Sequence, residues 1–194
     1  MNASNPPAAA VEVEQLFALL RGRRTIHDFL PERVADELIE RAIDSARWAP
    51  NHHRTEPWRF YLLGELARRQ LIARNTELVR SEKGERAAEV KRQRWEQVPG
   101  WLLMTCLRSD DPFREREDYA ACCCAAQNMM LALWAEGVGS KWTTGGLTRD
   151  AELFHMLGLH AAREFVVGLF WYGRPAGASE QQRRPLSHVL ARIE

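Results

Sequence analysis

One stretch of this chain, Tyr119 to Glu136, leaves little choice of surroundings. Ala120 to Ala126 is made entirely of small or sulfur-bearing residues, and Met129, Met130, Leu131, Leu133 and Trp134 follow. A helix that is apolar on nearly every side must be covered on nearly every side. The chain has 194 residues, within the roughly 100–200 of a single domain. In so small a unit, such a helix is expected to be central and shared with a second subunit. Gly137-Val138-Gly139 ends it, as glycine commonly ends helices. The stretch also carries Cys122-Cys123-Cys124, with Cys106 the remaining cysteine. Neighbours on a helix point about 100° apart, so these make poor disulfide partners. Without C-x-x-C spacing, and on an apolar helix, they read as reduced, inert thiols packed in a core. Reduced thiols fit a cytoplasmic protein.

The other elements arrange themselves around that helix. Val11 to Arg21 reads as a helix. Val34 to Trp48 is the clearest one, with Val34, Leu38, Ala42 and Ala46 recurring every four residues. Asp36 and Glu37 favour its first turn, and Pro50 stops it. Trp58 to Leu63 and Trp101 to Leu107 read as buried strands, and so does Phe165 to Tyr172, closed by Gly173-Arg174-Pro175. Ser140 to Gly146 is a further extended segment, after which Thr148 is placed to cap a helix through Leu157. Glu65 to Gln97 is charged and helical in pattern, broken at Gly84. It reads as a solvated helical surface, with a mobile cover over a site as the alternative. Gly177 to Pro185 is polar and basic, ahead of the amphipathic Leu186 to Ile193. Met1 to Ala10 reads as a disordered tail. No repeat or linker divides residues 11–194, which are expected to form one domain: a small sheet flanked by helices.

Several function classes fall away. With 27 basic and 26 acidic residues the net charge is +1, which lacks the basic surplus of a nucleic-acid footprint. No apolar run approaches the roughly 18 residues of a membrane span, and no signal peptide is evident at the N-terminus. No G-x-G-x-x-G lies between a strand and a helix, so no dinucleotide-binding fingerprint is present. His52 and His53 lack Cys or His partners at ligand-like spacing, and no metal is expected.

The chemistry-bearing segments lie elsewhere. Arg23-Arg24-Thr25-Ile26-His27 sets two guanidinium groups beside a hydroxyl, a cradle for phosphate, though two arginines also suit an ordinary cationic helix end. About one helix later comes Ala49-Pro50-Asn51-His52-His53-Arg54-Thr55-Glu56-Pro57-Trp58, a polar loop between two prolines that empties into a strand. Arg183-Arg184 supplies a second basic pair that can converge on the first.

The order and spacing of these segments resemble the nitroreductase family of FMN-dependent oxidoreductases. Ala126-Gln127-Asn128 through Ser140-Lys141-Trp142 looks like that family's central helix and following strand, and Phe165 through Pro175 like its last core strand. The blocks occur in family order from about Leu20 to Leu186, and the short connections are most like the minimal single-domain bacterial members.

The resemblance implies an α+β fold with a small, mostly antiparallel sheet. It also implies an obligate homodimer, with the central helix and FMN at the interface. By the same resemblance, Arg23, Arg24 and Thr25 would hold the phosphate and ribityl chain of FMN. Pro50, Asn51 and His52 of the other subunit would line the flavin. Trp142, Thr143, Thr144 and Gly145 would meet the ring, with Arg183 or Arg184 completing the phosphate site. Three positions depart from the family pattern: Thr25 stands where serine is frequent, His27 where a cation commonly faces the reduced flavin, and Glu56 where glutamine precedes Pro-Trp.

The implied activity takes a hydride from NADH or NADPH and passes two electrons, in ping-pong order, to a small-molecule acceptor such as a nitroaromatic or quinone. The flavin would carry the chemistry, with no catalytic side chain required. Two alternatives stand beside it. One is a flavoprotein of the same fold performing dehalogenation, flavin fragmentation or dehydrogenation. The other is a non-enzymatic flavin-binding dimer.

Overall fold

Four strands pair antiparallel throughout in the order β1-β2-β4-β3: β1 Trp58–Leu62, β2 Gly100–Leu107, β3 Gly139–Thr143 and β4 Glu164–Gly173. The computed structural model describes residues 12–177 and 180–193. The tail expected over Met1 to Ala10 lies outside them.

The two central strands are apolar almost throughout because the sheet is covered on both faces. Leu102, Met104 and Cys106 of β2, with Val167, Phe170 and Tyr172 of β4, join one core cluster. That cluster includes buried side chains of α2, Asp36–Ala46, and α5, Pro112–Ala135. The alternate residues Trp101, Leu103, Leu169 and Trp171 join a second cluster. Its helical members come from α3, Glu65–Lys83, α4, Glu85–Glu96, and α6, Glu152–Met156. The first helix, α1 Val13–Gly22, buries none of its residues within this chain. Among the described residues no helix is long and apolar enough to cross a membrane.

Several sequence expectations need correction. The central helix begins at Pro112, two turns before Tyr119. The Asp111 carboxylate accepts from the Phe113 and Arg114 amides, and proline occupies the first turn. The charged residues Arg114 to Asp118 hide this start from an apolar-pattern reading. Thr148 caps no helix: its hydroxyl donates to Gly145 O at 2.8 Å within a 3-10 turn over Gly146–Arg149. The amide of Glu152 in α6 donates to Asp150 instead, at 3.4 Å. Leu186 to Ile193 forms one 3-10 turn, Leu186–His188, and its apolar side chains stay exposed.

The charged helical segment is more than a solvated surface. Leu71, Ile72, Ala88 and Trp95 are buried, and Trp95 meets Trp101 and Trp171 edge-on at 5.2 Å. Of the cysteine run only Cys122 is buried. Cys123 is half-buried and Cys124 exposed, on a stripe of α5 with Ala120 and Gln127 that none of the described residues covers.

Candidate functional site

The basic segment after α1 is strapped to the edge strand β3. Thr25 bridges Ser140 in parallel, and the Ile26 amide donates to Ser140 O at 3.1 Å. This approach requires Gly139, since a Cβ there would lie 2.5 Å from Ile26 Cγ1. The two arginines then take different parts. Arg24 turns back on the end of α1, donating to Arg21 O and, at 3.0 Å, to Arg23 O. That contact is the helix-end role open to any cation at this place. Arg23 is left half-buried, and burial, then Arg24, then Arg183 weaken its hold on its proton. Arg183, from the far end of the chain, is thus among the charges that act on Arg23. Arg184 is exposed and is not among the charges acting on Arg23.

Thr25 is half-buried, and His27 is exposed beside β3. Its Nδ1 lies 3.3 Å from Lys141 Nζ, so the lysine donates and the imidazole accepts. Partial burial, then Lys141 and Arg94, lower the His27 pKa against an opposing pull from Asp28. The cation beside this position is thus Lys141. In the sequence it is marked only as one of three lysines and by adjoining Trp142, and nothing local pairs it with His27.

Trp142 stacks on Phe170 at 5.3 Å and donates from its indole to Val167 O at 3.1 Å. It lies so flat against β4 that a Cβ on Gly168 would come within 2.0 Å of its Nε1. Beyond it, Thr143 is half-buried, while Thr144 and Gly145 are exposed. Thr143 and Gly145 border a cleft of about 210 Å³ shared with Asn75, Lys91 and Trp95. Two buried groups, Asn75 Nδ2 beside this cleft and the Ser140 hydroxyl nearer the start of β3, have no hydrogen-bond partner among the described residues. Such groups are costly to bury unless something satisfies them. Asn75 sits in a charged helical run and gave no sequence signal.

Pro50, Asn51 and His52 are placed elsewhere. Asn51 Oδ1 accepts from the Glu56 amide at 2.7 Å, the Thr55 hydroxyl donates to Asp118, and His52 Nδ1 lies 3.0 Å from Glu117. The loop therefore sits on the N-terminal half of α5. His53, Arg54 and Glu56 have φ of 60°, 50° and 45°, a strained conformation of the kind that gathers at functional sites. Trp134, by contrast, lies under Gly22 near the C-terminal end of α5. The sixteen residue steps of helix from Asp118 to Trp134 span about 24 Å. Within one chain, then, the loop and the arginine cradle stand at opposite ends of α5. No hydrogen bond or ion pair joins them among the described residues.

His52, His53 and Glu117 bring potential ligand atoms within 4.8 Å of one another, a grouping that sequence spacing did not show. A separate cleft of about 580 Å³, lined in part by Arg33, Arg68 and Tyr172, contains none of the residues expected in the site.

Comparison with known proteins bears on the family and the fold. Residues 20–174 match the model of a family described as the nitroreductase family. A Bacillus subtilis (strain 168) protein, provisionally named NAD(P)H nitroreductase YfhC, is 33% identical over 172 residues, covering 86% of this chain and 87% of its own. A nitroreductase-like family protein of Bacillus cereus superposes with a TM-score of 0.82 at 27% identity, over 96% of this chain and all of its own. A Desulfovibrio desulfuricans protein, provisionally named a nitroreductase and solved with FMN, superposes with a TM-score of 0.74 at 26% identity. That match covers 96% of this chain and 99% of its own.

Proposed function

This chain belongs to the nitroreductase family, and we propose that it is an FMN-dependent oxidoreductase using NADH or NADPH to reduce electron-poor acceptors such as nitroaromatics and quinones. The observation that carries the reading is the half-buried Arg23 guanidinium beside Thr25, on a segment strapped to β3 over Gly139, with the charges of Arg24 and Arg183 also acting on it. Converging cations of that kind repel one another unless an anion sits among them, and a phosphate monoester fits their number and fork geometry.

The residues fit the group in other respects. Gly139 allows the cradle to lie close on β3. The unpartnered Asn75 Nδ2 borders the cleft of Thr143 and Gly145, where a polar ring edge would satisfy it. Bound there, FMN would supply the redox chemistry, taking a hydride from the nicotinamide and passing two electrons on in ping-pong order. The chain's own part is to hold the phosphate with Arg23, Thr25 and Arg183. Trp142, pinned on Phe170 and Gly168, keeps the strand rigid behind the ring. Lys141 brings a positive charge beside His27, where negative charge on the reduced cofactor is favoured.

The reading includes a homodimer. The loop carrying Pro50, Asn51 and His52 lies too far along α5 to meet its own chain's cradle, so a second copy has to supply it. Uncovered apolar side chains agree. On α1, Val13, Leu16, Phe17 and Leu20 form a stripe at helical spacing, and Trp48, Val189, Leu190 and Ile193 are also exposed. Contiguous apolar surface of this sort marks an interface.

Purified protein is expected to be yellow, to release FMN on denaturation and to bleach anaerobically with reduced nicotinamide, then recolour with a nitroarene. Arg23→Ala should weaken FMN binding about tenfold to a hundredfold, the cost of one charged hydrogen-bond partner. A colourless protein that cannot be reconstituted with FMN would remove the proposal.

A further inference from the structure

A second concentration of positive charge lies apart from Arg23, Arg24 and Arg183. Its members come from three elements: Lys141 on β3, His27 in the preceding strap, and Lys91 and Arg94 on α4. Lys141 Nζ is 4.7 Å from the ring centre of Trp171, and Lys91 Nζ is 5.6 Å from that of Trp95. These two indoles meet edge-on at 5.2 Å, so each ammonium group lies by one member of a single aromatic pair. Arg94 approaches Asp28 at 3.4 Å. Lys83, Arg86, Lys91 and Arg94, with Ala87 and Val90, line an open cleft of about 490 Å³.

An ordinary solvated helix face mixes and pairs its charges, and the other side of α4 does so. Arg92 pairs with Glu89 at 2.6 Å and also with Glu96, and Glu85 pairs with Arg80 at 2.6 Å. Among the described residues no ion pair involves Arg86, Lys91 or Lys141. Burial and mutual repulsion with Arg94 lower the pKa values of both Lys91 and Lys141. A chain that sorts its charges this way, and partly desolvates the unpaired ones, carries a repulsion that an anion would relieve.

We infer that the α4 part of this cluster, Arg86, Lys91 and Arg94 around the open cleft, is a phosphate-binding subsite that reads the 2′-phosphate of NADPH and makes the protein prefer NADPH to NADH. The inference rests on the nicotinamide-dependent reading above. Three permanent cations suit a dianion better than a monocarboxylate. Lys91 also borders the cleft of Thr143 and Gly145, which joins the subsite to the segment assigned to the flavin ring.

The test is a calorimetric titration of the protein as purified with 2′,5′-ADP and with 5′-AMP, ligands that differ only by the 2′-phosphate. Wild type should bind 2′,5′-ADP more tightly by about tenfold to a hundredfold, and less so at high salt. The double variant Lys91→Gln/Arg94→Gln should lose this discrimination, with a matching fall in the ratio of kcat/KM for NADPH over NADH. The charge-retaining Lys91→Arg/Arg94→Lys should recover most of it, which separates lost charge from lost folding. Equal binding of the two nucleotides by wild type, or discrimination that survives in the glutamine variant, overturns the subsite. A protein that retains no FMN would sink the flavin reading yet leave this titration readable. One that bleaches equally with either nucleotide and binds both ligands alike would sink the subsite and leave the flavin reading standing.

Discussion

Replacing Gly139 with alanine tests whether the arginine cradle depends on its contact with β3. The new Cβ would lie 2.5 Å from Ile26 Cγ1, 2.9 Å from Pro175 Cγ and 3.1 Å from Ile26 Cβ. Ile26 is only 1% exposed, so it has nowhere to retreat except outward with its backbone. Overpacking of this kind costs about 1–3 kcal/mol. Loss of the Ile26 amide bond to Ser140 O adds about 0.5–1.5 kcal/mol. A central value of about 3 kcal/mol lowers Tm by about 6–12 °C in a chain of this size. Because the displaced segment carries Arg23 and Thr25, FMN affinity should fall with it. Thermal denaturation and FMN titration of Gly139→Ala, Ile26→Ala and the double variant would measure both effects. The double variant should be less destabilised than the sum of the single ones by about 1 kcal/mol or more, since removing the Ile26 branch makes room for the new methyl. A Gly139→Ala protein with wild-type Tm, or strictly additive variants, would refute the account of how the strap is held.

Two further outcomes are expected. Asp150 is held below the usual carboxylate range by its hydrogen bonds from Arg74, at 2.5 Å and 3.0 Å. A depressed pKa contributes stability above the unfolded value of about 3.9 that is lost as pH falls through the folded one. Asp150→Asn should therefore lower the urea midpoint at neutral pH, with the gap from wild type closing only on the acid side of about pH 3.9; a gap that does not change with pH would contradict this. For the cysteines, Cys106 and Cys122 should resist thiol reagents in the native protein. Both are free and buried, and a thiol–thiol hydrogen bond with Cys106, then burial, raises the Cys122 thiol pKa. Cys124, exposed in the single chain, should be protected at high protein concentration and react on dilution. Rapid modification in concentrated protein would argue against a second copy on α5.

The strands and the long helices were legible because their signals are local. β2 is apolar but for Thr105, Phe165 to Tyr172 of β4 is apolar throughout, and α2 keeps its four-residue recurrence. Boundaries failed where a short-range side-chain choice decided them. Asp111 captures two amides and starts α5 early, while Thr148 bonds back to Gly145 within a turn. Leu186 to Ile193 has helical patterning, but a helix that short depends on a surface to pack against, and none of its apolar residues is buried by its own chain.

What the residues determined unaided is the sheet-forming content, a helix too apolar to stand alone, and the basic and proline-bounded segments whose order resembles a known family. Each follows from chemistry within a few positions of the chain. Tertiary structure decided which charges meet. Lys141 faces His27 across 114 positions, the charge of Arg183 acts on Arg23, and Arg24 turns away onto its own helix. Those outcomes depend on the β1-β2-β4-β3 strand order and on the close approach at Gly139, because a side chain a few ångströms long pairs only with what the fold brings within its reach.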